Sequence, residues 1–69
     1  MVLLRIEAEL AAERAIVSQL QRYGCRIVER TEDGIRVEFP YAESEREALA
    51  EARLYLGAQN GSVLSARAA

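Results

Sequence analysis

Residues 24–41, GCRIVERTEDGIRVEFPY, decide the fold. Apolar and charged residues alternate on both sides of Glu32-Asp33-Gly34, and period-two alternation marks half-buried strands. Asp-Gly between two such runs signals a hairpin. A two-residue loop at Asp33-Gly34 would set Arg30 across from Val37 and turn Ile27 outward. A three-residue loop, Glu32-Asp33-Gly34, pairs Thr31 with Ile35, Glu29 with Val37, Ile27 with Phe39 and Cys25 with Tyr41. That register gathers the apolar residues on one face, misplaces only Glu29, and lets Gly34 take a positive φ, so it is the expected one. Pro40, which has no N–H to give a ladder, ends the second strand.

Working outward, Val2, Leu4 and Ile6 alternate with Leu3, Arg5 and Glu7, which predicts a first strand. Ala12, Ile16, Leu20 and Tyr23 then recur at helical spacing beside Val17. This helix begins near Glu9 or Leu10 without a Ser, Thr, Asp or Asn cap, and Gly24 follows its end. On the other side of the hairpin, Ser44 and Glu47 form a capping box for a second helix. Its apolar stripe is Ala48, Leu49, Ala52, Tyr55 and Leu56, and Asn60-Gly61 is expected to close it. Ser62–Ala66 reads as a short last strand, followed by a frayed Arg67-Ala68-Ala69 tail.

The order strand, helix, strand, strand, helix, strand predicts a single domain over residues 1–69 of α+β class. It is a ferredoxin-like βαββαβ sandwich, with a four-stranded antiparallel sheet and both helices on one face. Right-handed crossovers place strands 1 and 3 in the centre and strand 2 at an edge.

Composition narrows the function. The chain has 69 residues, 51% of them apolar, and a net charge of −2. A domain this small buries only about 60% of its unfolded surface, so help from a partner chain is plausible on energetic grounds. All nine cations are Arg, and eleven carboxylates outnumber them. That balance argues against nucleic acid, whose proteins carry a basic excess. One cysteine precludes an intramolecular disulfide and suggests a reducing, cytoplasmic setting. The N-terminal stretch lacks signal-peptide character, and no apolar run approaches the ~20 residues of a membrane span.

Several chemistries lack their residues. There is no His, hence no common general base, zinc ligand or pH switch. Ser18, Ser44, Ser62 and Ser65 therefore have no His partner, and Cys25 has no CxxC neighbour, as a heavy-metal carrier of this fold would need. Cys25 reads as a small buried hydrophobe. Glu47 and Glu51 stand four apart on a helix, a spacing that could share a metal or a proton but more commonly marks a wet face. Asn60-Gly61-Ser62 matches a glycosylation pattern, but reads better as a helix stop. No catalytic, metal or cofactor site is expected, and the protein reads as a non-enzyme.

The charged strand positions remain. In this fold Arg5, Glu7, Arg26, Arg30, Arg36 and Glu38 should line the open face of the sheet, with Leu3 and Val28 beside them. A solvated face with cross-strand ion pairs explains them without function. A docking surface is the functional reading, with Arg5, Arg26, Arg36 and Glu38 as the candidate interaction face. The outward residues of strands 1 and 3 include no aromatic, so they cannot stack bases as RNA-binding versions of this fold do.

The element order and the segment ERAIVSQLQRYGCRIVERTEDGIRVEF resemble small regulatory ferredoxin-like modules of the ACT and NIL types. The resemblance implies a regulatory domain. In ACT domains the loop after strand 1, typically with acidic, Pro and Gly residues, binds amino acids. Here that place reads EAELAAE, with no Pro or Gly, so no family site residue carries over. Three readings follow. The first is an interaction or oligomerisation module that pairs with itself or another protein through sheet edges or the open face. The second is a sensor for a small anionic or amino-acid ligand around Glu7 to Ala12. The third is a designed chain; tidy caps favour it, while the uncapped first helix and the absence of Lys oppose it.

Overall fold

The computed structural model describes residues 1–69. Its elements are β1 (Val2–Ala8), α1 (Leu10–Arg22), β2 (Arg26–Thr31), β3 (Gly34–Phe39), α2 (Glu45–Leu56), a 3₁₀ segment (Gly57–Ser62) and β4 (Val63–Ala68). The four antiparallel strands lie in the order β2-β3-β1-β4, and the fold is the ferredoxin-like two-layer sandwich. β1 and β3 are central, and β2 and β4 are the edges.

Thirteen residues form the core, and none of them is charged. β1 contributes Leu4 and Ile6, β3 Ile35, Val37 and Phe39, α1 Ile16, Val17 and Leu20, and α2 Ala48, Ala52 and Leu56; Cys25 and Ala42 complete it. Each central strand contributes alternate residues and each helix one stripe, as the two periodicities require. Cys25 is buried, as its surroundings in the sequence suggest.

The helix ends follow local chemistry. α1 starts after Glu9 with no side-chain cap, and the chain leaves it through Gly24 at φ 90°. At α2 the Ser44 hydroxyl accepts the Glu47 N–H at 3.1 Å, while the Glu47 carboxylate reaches back to the Glu43 N–H at 3.0 Å. The reciprocal bond therefore lands one residue before the cap. The expected stop at Asn60-Gly61 is displaced. α2 ends at Leu56, and Gly57 takes φ 52°. Asn60 still serves that end, because its amide donates at 2.8 Å to the carbonyls of Arg53 and Gly57.

The hairpin register differs from the expected one. Thr31 pairs with Gly34 and Arg30 with Ile35, so the loop is Glu32-Asp33 alone. Neither loop residue has a positive φ, whereas Gly34 does, at 143°. The Thr31 hydroxyl braces the turn, accepting the Asp33 N–H and donating to the Gly34 carbonyl. Further along, Glu29 pairs with Arg36 but Ile27 with Val37, so Val28 is an extra, bulged residue. The bulge repairs the one fault in the expected pairing. It turns Glu29 to the open face and keeps Ile27 toward the core. Arg30, expected on the open face, instead lies opposite buried Ile35 on the helix side, where it meets Glu13 of α1 at 3.0 Å.

β4 is also longer than expected. It runs through Arg67 to Ala68, and the Ala69 N–H donates to the Leu3 carbonyl. Its pairing with β1 shifts at Leu64, which is exposed. Both edge strands thus carry a bulge, a device that hinders edge-to-edge pairing.

Candidate interaction face

Period two places Leu3, Arg5 and Glu7 of β1 on the face opposite Leu4 and Ile6. Their partners in register are Glu38 and Arg36 on β3, with Arg67 and Ser65 on β4. Arg26 of β2 lies across from Glu38. Arg5, Arg26, Arg36 and Glu38 therefore share the open face. Arg30 does not join them. Three residues complete the face: Glu29, brought round by the bulge; Arg67, brought in by the longer β4; and Glu7.

Arg5 is the direct register partner of both Arg36 and Arg67. Three arginines consequently form one row across β3, β1 and β4, with neighbouring Cβ atoms about 5 Å apart. Like charges directly opposite one another destabilise a sheet. The surrounding carboxylates offset part of that cost. Glu7 lies 3.2 Å from Arg5 and 3.9 Å from Arg67, and Glu29 lies 3.7 Å from Arg36. Arg26 and Glu38 form a looser pair at 3.8 Å. Arg5 is further anchored by donating to the Asp33 carbonyl at 3.0 and 3.3 Å, which ties the middle of the row to the hairpin loop. Arg36 and Arg67 remain more than half exposed, so these pairs are water-screened and each contributes only about 0–1 kcal/mol.

The face carries four arginines and three glutamates, a net +1. The chain as a whole is −2, so everything else carries −3. The row was invisible in the sequence because it depends on register. Arg67 looked like tail, and only pairing with Arg5 makes it part of the sheet.

The alternative ligand position, at the β1–α1 junction, is acidic. Glu7, Glu13, Glu32 and Asp33 line a recess of about 210 Å³ there, beside Ala8, Gly34 and Leu64. Glu7 and Glu13 are paired with arginines, and the remaining Glu32 and Asp33 carboxylates oppose an anion there. Glu47 and Glu51 serve separate partners: Glu47 bonds the Glu43 N–H, and Glu51 accepts from the Tyr55 hydroxyl at 3.1 Å. No cluster of three or more His, Cys, Asp or Glu side chains is arranged to hold a metal ion.

The sequence reading also missed an aromatic grouping. Tyr23 and Tyr55 stack in parallel with ring centroids 4.6 Å apart, and the edge of the Tyr41 ring lies beside Gly24. Burial, then the Glu51 carboxylate, raise the titration of Tyr55. The same two causes, in the same order, push the Cys25 thiol up to about 11, so it is a neutral core group at pH 7.

Compared with known proteins, the chain matches no family model, no curated protein and no solved structure. The likeness to ACT and NIL modules is therefore one of topology. No helix is long and apolar enough to cross a membrane.

Proposed function

We propose that this protein is a non-enzymatic interaction module, which docks through the open face of its sheet onto an acidic surface of another protein in the cytoplasm. The Arg36–Arg5–Arg67 row carries the reading. A fold selected only for stability would not place three like charges in direct register across two central strands and an edge. A partner's carboxylates would neutralise the row and recover that cost on binding.

Sheet edges are the weaker docking surface. β2 is bulged at Val28 and β4 at Leu64. On β4 the Glu45 carboxylate also occupies the Ala68 N–H at 3.2 Å. A second copy packed face to face about a twofold axis would set Arg row against Arg row. An acidic partner fits better than self-pairing. The cytoplasmic setting rests on the single buried thiol.

The test uses an acidic probe. A Glu-rich peptide titrated into the labelled protein at low salt should shift amides of β1, β3 and β4, with affinity falling as salt screens the charges. Arg5→Gln with Arg36→Gln should abolish those shifts while the chain stays folded, since the double change removes a repulsion along with two weak pairs and the exposed hydrogen bonds from Arg5 to the Asp33 carbonyl. Unchanged peptide binding in that variant would refute the face assignment. Concentration-dependent dimers in sedimentation equilibrium, lost in the same variant, would replace the acidic partner with a second copy.

A further inference from the structure

A cleft of about 490 Å³ opens between α2, the 3₁₀ segment and β4. Its origin lies in residue size. Where α2 presents Leu49 and Leu56, the helix-facing side of β4 offers only Val63 and Ala66. Ala66 lies opposite Ile6, whose fully buried side chain lies beneath the cleft on the central strand. Six of the nine lining residues are hydrophobic.

The rim has the opposite character. Arg53 lines the cleft and also a shallower recess that adjoins it, which Arg46 lines too. The two arginines are seven residues apart on α2, about two turns, and so lie on one flank. Neither takes part in any ion pair of the molecule, although carboxylates outnumber arginines in the chain. Glu45, the one carboxylate bordering that recess, is engaged at the Ala68 N–H.

We infer that this cleft binds a carboxylate-bearing apolar chain, of the medium-chain fatty acid kind, with its tail over Leu49, Val63 and Ala66 and its head group at Arg53 and Arg46. The volume falls within the roughly 300–1,000 Å³ of small-molecule sites. A second copy joined along β4 would bring two α2 flanks together, with four unpaired arginines between them. Charge complementarity selects an anion for the rim, and the apolar floor selects a chain behind it.

Decanoate, kept below its micelle-forming concentration, is the probe, with 1-decanol as its uncharged counterpart. Calorimetric titration and thermal unfolding should show saturable decanoate binding that raises the melting temperature, with the largest methyl shifts at Leu49 and Val63. Ala66→Leu fills the cleft from β4 and should abolish binding while leaving the free protein at least as stable. Arg46→Gln with Arg53→Gln, both on the exposed rim, should stay folded and weaken decanoate about tenfold, the loss expected for a charge-assisted contact, without changing decanol binding. The proposal is overturned if decanoate leaves the melting temperature unchanged, or if Ala66→Leu binds it as well as wild type. Equal affinity for decanol and decanoate would overturn the anionic class. Binding of an acidic amphipathic peptide at these residues without decanoate binding would overturn the small-ligand reading.

Discussion

Replacing Gly34 by Ala tests the hairpin geometry most directly. Gly34 adopts φ 143°, which an L side chain takes up at a cost of about 1–3 kcal/mol. A Cβ there would also lie 2.8 Å from the Ile6 carbonyl oxygen and 3.3 Å from the Glu7 side chain. The first contact is with backbone of the central strand, which cannot swing aside, and overpacking of this kind adds about 1–3 kcal/mol. Reduced freedom of the unfolded chain returns only about 0.4–1 kcal/mol. The net loss is about 1–6 kcal/mol. At about 4–8 °C per kcal/mol for a domain of this size, the melting temperature should fall by at least about 4 °C, with outright unfolding at the upper end. Circular dichroism through thermal and urea unfolding reads it. Two other glycines calibrate the result. Gly57, at φ 52° with open space around it, should lose only the conformational part. Gly61, with neither a positive φ nor a near neighbour, should be neutral or slightly stabilised by Ala. A Gly34→Ala protein that melts within about 2 °C of wild type would refute the close approach of β3 to β1 at this turn.

Two further outcomes follow from the core and the caps. With a folded-state value of about 11 against an ordinary 9.0, Cys25 holds its proton more tightly folded than unfolded. Its contribution is therefore fully present below pH 9 and is lost as pH rises from there through 11, by about 2–3 kcal/mol, and the raised Tyr55 acts in the same direction. The stability gap between wild type and Cys25→Ala should accordingly shrink between pH 8 and pH 10.5 in urea titrations; a constant gap would show that the thiol is not buried as described. Ser44→Ala should lower stability by about 1 kcal/mol through loss of the Glu47 N–H acceptor, and Ser44→Asp should restore it. Equal stability of all three would mean that the cap contributes nothing.

Much of the architecture was legible because its signals are local. Val2, Leu4 and Ile6 alternate, Ile16 and Leu20 fall on one helical stripe, and Ser44 with Glu47 announces α2; each pattern needs only its own segment. Burial of Cys25 followed from its residue type, and the central placement of β1 and β3 from chain order and crossover handedness. The candidate face was only partly legible. Arg5, Arg26, Arg36 and Glu38 share it, but the pairing that placed Arg30 there was wrong. Val28 has no distinctive composition, and a one-residue bulge leaves no mark on period-two alternation except an apparent fault at Glu29.

The sequence alone determined the order of the strands and helices and most of the residues that enter the core, because periodicity and capping act within a few residues of chain. The tertiary structure decided the β2–β3 register, the exchange of Glu29 and Arg30 between faces, the inclusion of Arg67, and the cleft left by Ala66 opposite Leu49. Those features depend on what stands across the sheet or across the layer. Ile35 and Val37 are held by β1 and the helices, and β2, as an edge strand with one neighbour, must shift to match them. Register and void space are properties of packed pairs, and a single strand read in isolation does not contain its partner.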